Sequence, residues 1–107
     1  MKTEIINFTI EQKEVMDKAI SKYGDLSQRI KTNEELAELI VSISKRMEYF
    51  WLKTDRDYES DIRQSVIEEI ADVLIMLYQT IEIENCEKEV YDVINMKISR
   101  LEERILK

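Results

Sequence analysis

The stretch EELAELIVSI, residues 34–43, decides the fold of this sequence, because EEIADVLIML repeats its pattern thirty-four positions later, at residues 68–77. The residue classes agree at every position except Ser42, which aligns with Met76. In each copy two carboxylates stand three residues apart, which places them about 60° apart on one edge of a helix. The apolar residues recur at helical spacing. The two stretches therefore predict two amphipathic helices, each with an acidic edge beside its apolar stripe.

The composition extends this helical prediction to the whole chain. The sequence has 107 residues, no proline, and Gly24 as its only glycine, so little in it breaks a helix. A chain of this length is typical of one domain, here residues 1–107. Apolar periodicity, a Thr9–Gln12 capping box and the stop at Gly24 predict four helices joined by short connections. Their expected ranges are about 10–23, from a start between 27 and 33 to 52, 61–84 and 87–106, with a connection at residues 53–60.

The apolar stripes of these helices are expected to form the core of the protein. On the second helix the stripe contains Leu36, Ile40, Ile43 and Met47. On the third helix it contains Val66, Ile70, Val73, Leu74, Leu77 and Ile81. On the fourth helix it contains Val90, Val93, Ile94, Ile98, Leu101 and Ile105.

Charge and residue usage exclude several functional classes. The formal net charge is -7, from 23 acidic and 16 basic residues, which argues against nucleic-acid binding as the main role. Histidine is absent, so Ser-His-Asp and Cys-His catalysis within one chain are excluded. Any chemistry must use carboxylates, Lys, Arg, hydroxyls or a metal ion.

The expected location is the cytoplasm, with no role at a membrane. Cys86 is the only cysteine, which is typical of a protein in a reducing compartment. The first ten residues, MKTEIINFTI, lack the continuous apolar region of a signal peptide. The longest apolar run, IADVLIMLY, is too short to span a bilayer and contains Asp72.

The spacing of the two acidic pairs predicts that they meet. The midpoint between Glu35 and Asp72 falls between residues 53 and 54, inside the expected connection. If the second and third helices fold back antiparallel, the four carboxylates of Glu35, Glu38, Glu69 and Asp72 arrive at the same level. Converging negative charges need protons or a cation. Four oxygen donors without His or thiolate favour Mg²⁺, with Mn²⁺ as a possible substitute.

Each acidic residue also has a structural interpretation. Glu35 stands three residues after Thr32, so the two could form a capping box at the start of the second helix. Glu38 alone is typical of a surface charge, and Glu34 and Glu68 are expected to be solvated. Asp72 differs, because a carboxylate inside an apolar run is rarely left without a partner.

The two motifs EELAE and EEIAD together resemble the E-x-x-E…E-x-x-D pattern of the MazG-like all-α nucleoside triphosphate pyrophosphohydrolases, which include dimeric dUTPases and dCTP pyrophosphatases. The resemblance covers about residues 34–104. It implies an oligomeric four-helix bundle, a homodimer or a dimer of dimers. It also implies Mg²⁺-dependent hydrolysis of a nucleoside triphosphate to the monophosphate and pyrophosphate. The metal ligands and catalytic residues implied are Glu35, Glu38, Glu69 and Asp72.

The resemblance extends to basic residues that would bind phosphate. NMKISR, residues 95–100, looks like the family's Asn-x-Lys-x-x-Arg stretch, which makes Lys97 and Arg100 candidates for phosphate contact. Both would also favour the dipole at a helix C-terminus. Lys45 follows Glu38 and Ser42 along the same side of the second helix. It either reaches the cavity at the four carboxylates or forms a surface ion pair. Trp51, in an aromatic group at the end of the second helix, either stacks on a base or packs in a core or interface.

Two other functions fit the same sequence. One is a noncatalytic helical oligomerisation or regulatory module, in which the acidic pairs serve as caps and salt bridges. The other is a degenerate member of the family that binds nucleotide without turnover. The sequence has no base-reading motif that can be placed, so it predicts no base or sugar preference.

Overall fold

The computed structural model describes residues 7–52 and 59–106, which form four α-helices and contain no strand. The all-α class predicted from the sequence is confirmed for these ranges. The helices are α1 (Ile10–Tyr23), α2 (Asp25–Leu52), α3 (Glu59–Glu84) and α4 (Glu87–Ile105). Most of the expected connection, residues 53–58, lies outside the described residues.

Local signals explain where the helices begin and end. Thr9 and Gln12 form the predicted capping box at the start of α1, with hydrogen bonds of 3.1 and 2.8 Å. Gly24 has φ of 90°, a conformation that side chains disfavour, and α2 starts at the next residue. Asn85, with φ of 52°, separates α3 from α4.

The early start of α2 corrects one interpretation of the sequence. Thr32 lies inside α2, where its hydroxyl donates a 2.8 Å hydrogen bond to the carbonyl oxygen of Gln28. It therefore does not cap the helix, and the proposed Thr32–Glu35 capping box is wrong. The helix starts earlier than predicted because Gly24 alone, with its positive φ, separates α1 from α2.

Helices α2 and α3 form an antiparallel hairpin, which is the arrangement in which the two acidic motifs lie at the same level. Arg29, near the start of α2, forms an ion pair with Glu84 at the end of α3. At the opposite end, Arg46 lies 3.6 Å from the carboxylate of Glu59, the first residue of α3. These two ion pairs show that the helices run past each other along most of their length.

Polar side chains meet along the hairpin interface at intervals of seven residues. On α2 the buried polar residues Gln28, Glu35 and Ser42 share one heptad position. Gln28 bonds to Gln79 at 2.6 Å, and Ser42 bonds to Ser65 at 2.9 Å. The pairs 28/79, 35/72 and 42/65 are all centred between residues 53 and 54 in sequence, which is the midpoint predicted from the acidic motifs. We call this row of polar pairs the polar seam.

The polar seam overturns the predicted orientation of α2. Ile40, Ile43 and Met47 were expected in the core but are 66 %, 42 % and 65 % exposed, respectively. Periodicity correctly located an apolar face on α2. The helix, however, turns towards α3 the face that carries Gln28, Glu35 and Ser42. The apolar face is left on the outside of the hairpin.

One part of the core lies where α1 packs against α2 and α3, and Tyr49 and Ile62 are buried at the other end of the hairpin. Met16 of α1 is buried, as are Val73, Met76 and Tyr78 of α3. Phe8, just before α1, packs edge-to-face on Tyr78 with ring centroids 5.4 Å apart. Burial there raises the pKa of the Tyr78 phenol to about 12.

Helix α4 does not bury its apolar stripe in the single chain, although that stripe was expected to face the core. It has no extended contact with the other three helices, and none of its residues is buried. Its apolar residues Val93, Ile94, Ile98, Leu101 and Ile105 are between 39 % and 70 % exposed. The radius of gyration is 17.0 Å, against about 13 Å for a compact chain of similar length. The single chain is therefore an open structure, with three packed helices and one projecting helix.

None of the described helices combines the length and the hydropathy needed to cross a lipid bilayer.

Candidate metal centre

Three of the four predicted carboxylates converge between α2 and α3. Glu35 comes from α2, and Glu69 and Asp72 come from α3, one helical turn apart. One carboxylate oxygen of each lies within 4.8 Å of the others. We call this group the carboxylate triad. Its geometry follows from the antiparallel register, which places residues 35 and 72 at the same level of the hairpin.

Two oxygen atoms of the triad accept no hydrogen bond from the residues that the structure describes. Glu35 is only 5 % exposed. Glu35 Oε2 and Glu69 Oε2 are both buried, and neither accepts a hydrogen bond from the described part of the chain. A buried carboxylate oxygen without a partner is costly. The two atoms are thus placed where a proton or a cation would relieve a defined energetic penalty.

Lys31 compensates part of this charge. Its Nζ atom lies 2.8 Å from Glu35 Oε1, one helical turn earlier on α2. The hydrogen bond and charge of Lys31 hold the pKa of Glu35 below its ordinary value, against the opposing effect of burial. The sequence analysis missed Lys31, although its spacing of four residues from Glu35 is a recognisable signal for an ion pair.

Glu69 experiences the opposite environment. Burial raises the pKa of Glu69, and the negative charges of Glu38, Asp72 and Glu35 raise it further. A bound cation would remove this repulsion. The two glutamates of the triad therefore have pKa values shifted in opposite directions, lowered for Glu35 and raised for Glu69.

Glu38, the fourth predicted ligand, lies at the exposed rim of the triad. It is absent from the set of mutually close oxygen atoms. Its charge nevertheless contributes to the raised pKa of Glu69, so it lies near the triad. Glu34 and Glu68, which were expected to be solvated, are both exposed.

The donor set of the triad suits a hard divalent cation. Three carboxylates supply only oxygen, which Mg²⁺ and Mn²⁺ accept as ligands, and Lys31 neutralises at most one of the three charges. Mg²⁺ normally keeps several waters and uses one or two protein carboxylates together with substrate phosphates. Three protein carboxylates would leave coordination positions of Mg²⁺ for water and substrate phosphate.

Lys45 lies on the side of the triad that faces the start of α3. It lines a separate cavity of about 90 Å³ with Ser42, Asp61, Ile62 and Ser65. Lys45 is ten residues after Glu35, which corresponds to about 15 Å along a helix axis. Phosphate contact by Lys45 remains a prediction.

Lys97 and Arg100 lie together on α4, beside Glu103 and Arg104. Because α4 does not pack along α2 or α3, the described chain does not by itself bring these two basic residues to the triad. Their role in phosphate binding therefore also remains a prediction.

The aromatic group at the end of α2 divides into buried and exposed members. Tyr49 is buried and meets Phe50 edge-to-face, with ring centroids 5.6 Å apart. Trp51 is 86 % exposed, so it does not belong to the core of the single chain.

No protein-family model, curated protein or solved structure matches this chain.

Proposed function

We propose that this protein is a Mg²⁺-dependent nucleoside triphosphate pyrophosphohydrolase of the MazG-like type. It would hydrolyse a nucleoside triphosphate, either a deoxynucleotide or a noncanonical nucleotide, to the monophosphate and pyrophosphate. The observation that carries this proposal is the carboxylate triad itself, in which one oxygen each of Glu35, Glu69 and Asp72 lie within 4.8 Å of one another, and in which Glu35 Oε2 and Glu69 Oε2 are buried without a hydrogen-bond partner among the described residues. The paired acidic motifs in the sequence give the reaction type.

The triad residues and Glu38 would have different roles in the reaction. Glu35, Glu69 and Asp72 would hold Mg²⁺, which supplies charge stabilisation at the phosphates and lowers the pKa of a bound water. Glu38 at the rim would orient the attacking water. The water oxygen bonds to the α-phosphorus, the bond to the α–β bridging oxygen breaks, and pyrophosphate leaves. The proton of the water passes to a carboxylate at the rim or to solvent.

The surface of the single chain supports a homodimer or a dimer of dimers. The accessible surface is 8524 Å², against about 6,300 Å² for a compact monomer of this size. The difference between these two surface areas is within the range of area that obligate homodimers bury at their interfaces. It includes the outward apolar faces of α2 and α4, which a second copy would cover.

Assembly would also bring positive charge to the triad. Lys97, Arg100 and Arg104 form a basic surface on α4, in a chain with a net charge of -7. The triad carries three carboxylates with one neighbouring lysine. If α4 of one copy lies along the hairpin of another, Lys97 and Arg100 would reach the phosphates of a nucleotide held at the triad.

Product analysis tests this function. Purified protein is incubated with a panel of canonical and modified NTPs and dNTPs, with and without Mg²⁺, and the products are separated by ion exchange. We expect Mg²⁺-dependent formation of monophosphate and pyrophosphate. Asp72→Asn should abolish turnover, whereas Glu68→Gln, which changes an exposed neighbour of the triad, should not.

Two results would contradict the proposal. Formation of diphosphate and orthophosphate would show a metal-dependent hydrolase that attacks another phosphorus. Absence of turnover across the panel, with a folded oligomer, would favour a noncatalytic helical module or a protein that binds nucleotide without hydrolysing it.

A further inference from the structure

A mainly apolar groove of about 390 Å³ lies beside the triad, between the end of α1, the first turns of α2 and the middle of α3. Its volume falls in the range of small-molecule sites. We call it the α1–α2 groove. It is lined by Tyr23, Ser27, Gln28, Ile30, Lys31, Glu34 and Met76.

The α1–α2 groove is one helical turn from the triad on both helices. Lys31 precedes Glu35 by four residues on α2, and Met76 follows Asp72 by four residues on α3. Four residues correspond to about 6 Å along a helix axis, and the seven residues from Gln28 to Glu35 correspond to about 10 Å. This separation suits the reach from the α-phosphate of a nucleotide, across its sugar, to the base.

The walls of the groove suit a flat, weakly polar ring. Tyr23 supplies an aromatic side chain that is 58 % exposed, and Ile30 supplies an aliphatic one that is 52 % exposed. Met76 adds a polarisable thioether, which makes favourable contacts with aromatic rings. Stacking of a base on such surfaces is tolerant of sequence and contributes to affinity without hydrogen bonds.

Gln28 gives the groove a polar group with a fixed orientation. The side chain is 8 % exposed, and its Nε2 atom donates a 2.6 Å hydrogen bond to Gln79 Oε1. Gln79 in turn donates to Met76 Sδ at 3.8 Å, which holds both amides in one orientation. The bond to Gln79 uses one of the two N–H groups of Nε2, so the Gln28 amide keeps a carbonyl oxygen acceptor and a second N–H donor for a ligand in the groove.

We infer that the α1–α2 groove binds the nucleobase of the substrate and that Gln28 determines which base is preferred, by hydrogen bonding to the base edge through its carbonyl oxygen or its second N–H group. This inference rests on the proposed function for its choice of ligand. Lys31 lies between the groove and the triad, where it would face the sugar and the α-phosphate. Base recognition thus belongs to the polar seam, which also positions the triad.

A binding experiment separates the groove from the triad. The probes are α,β-methylene analogues of dATP, dCTP, dGTP and dUTP, and inorganic triphosphate, each titrated calorimetrically with Mg²⁺ present. Ser27→Trp fills the groove from an exposed position, and Ser44→Trp is the matched control on the same helix. Because stacking contributes about 1–3 kcal/mol per base, we expect Ser27→Trp to weaken the best analogue about tenfold or more. The affinity for triphosphate should not change, and Ser44→Trp should alter neither.

A second variant tests the role of Gln28. Gln28→Met keeps the length of the side chain but removes the amide group, so the affinity ranking of the four analogues should flatten while triphosphate binding is retained. If Gln28→Met fails to fold, Ser27→Trp still tests the groove. The inference would be overturned if Ser27→Trp lowered the affinities for the analogue and for triphosphate equally, or lowered neither affinity.

The outcomes distinguish this inference from the proposed function. Turnover by the wild type together with unchanged analogue binding in Ser27→Trp would support the proposed hydrolase and contradict base binding in the α1–α2 groove. Absence of turnover, together with analogue binding that Ser27→Trp weakens, would contradict the proposed hydrolase and support base binding in the α1–α2 groove. Wild-type protein that binds triphosphate and all four analogues equally would show that the base makes no contact and would reject the groove.

Discussion

Gln28 donates a 2.6 Å hydrogen bond to Gln79 across the α2–α3 interface, one heptad from the level at which Glu35 meets Asp72. Both glutamines are more than nine-tenths buried. An amide pair of this kind permits only one register, because sliding one helix past the other would leave two buried amides without partners. The same register brings the carboxylates of the two helices together. The polar seam therefore fixes the geometry of the triad.

The amide pair should show strong energetic coupling. We expect Gln79→Leu alone to lower the free energy of unfolding by about 1–3 kcal/mol, because it leaves Gln28 buried without its acceptor. The double variant with Gln28→Leu should be more stable than the sum of the two single changes predicts, by about 0.5–3 kcal/mol. Urea unfolding at one fixed protein concentration measures all four proteins. Additive effects would show that the pair does not fix the register.

How much of this arrangement the sequence predicts depends on the kind of signal. The antiparallel register follows from the spacing of the two acidic motifs, and the limits of α1 follow from Thr9 and Gly24. The start of α2 was predicted too late, because a single glycine permits an immediate new helix. The apolar stripe of Ile40, Ile43 and Met47 was recognised but assigned to the wrong side, since periodicity locates an apolar face and does not identify what covers it.

In the candidate site, too, some features follow from the sequence and others do not. Glu35, Glu69 and Asp72 converge because their positions are symmetric about the turn, which can be read from residue numbers. The rim position of Glu38 depends on how far each helix is rotated about its axis, and spacing alone does not determine that rotation. Lys31 was missed because an ion pair at four residues is common on helices, and nothing in the sequence marks this one as part of a buried cluster.

Glu69 should destabilise the metal-free protein at neutral pH. Its pKa is raised by burial and by neighbouring charges, so its stabilising contribution is present below the ordinary pKa of 4.5 and is lost as the pH rises through the raised value. Glu69→Gln replaces the carboxyl group by a neutral amide, so the variant does not lose stability through ionisation at this position. We expect its melting temperature, measured in EDTA, to exceed that of the wild type at pH 7, and the difference to disappear below pH 4.5.

The control for this experiment is Glu68→Gln, an exposed change of the same kind at the adjacent position. It should leave the melting temperature nearly unchanged at both pH values. A lower melting temperature for Glu69→Gln than for the wild type at pH 7 would mean that the Glu69 carboxylate is stabilised without a cation, in conflict with the triad described above.

The Lys31–Glu35 ion pair should contribute to acid sensitivity. The pKa of Glu35 is lowered, so its contribution to stability is present above 4.5 and is lost as the pH falls through the lowered pKa. The pKa of Lys31 is raised above 10.5, so the lysine stays charged over this interval. Lys31→Met should therefore be less stable than the wild type from pH 6 to 9, and the two should converge as Glu35 is protonated.

Thermal unfolding of both proteins from pH 3 to 9 measures this effect. Lys22→Met, which changes an exposed lysine of α1 away from Glu35, is the control and should run parallel to the wild type. A constant difference between Lys31→Met and the wild type down to pH 3 would show that Lys31 acts through packing of its side chain and not through its charge.

The apolar face of α4 should hold two copies together. Leu101→Asp would place an unpaired charge in the expected interface, which is costly. We expect it to weaken self-association by about tenfold or more, which corresponds to about 1.4 kcal/mol. Sedimentation velocity over a range of concentrations measures the change, and circular dichroism checks that the helices persist. The adjacent exposed variant Glu102→Asp is the control, and equal self-association of the two variants would exclude α4 from the interface.

Binding of Mn²⁺ tests the central claim, that Glu35, Glu69 and Asp72 form a site for a divalent cation. Electron paramagnetic resonance of free Mn²⁺ gives the bound fraction as protein is titrated, without dependence on turnover. We predict saturable binding to the wild type and to Glu68→Gln, competition by Mg²⁺, and loss of at least about tenfold in affinity for Glu69→Gln and Asp72→Asn. Equal Mn²⁺ affinity in all four proteins would contradict the account, because the cation would then bind elsewhere.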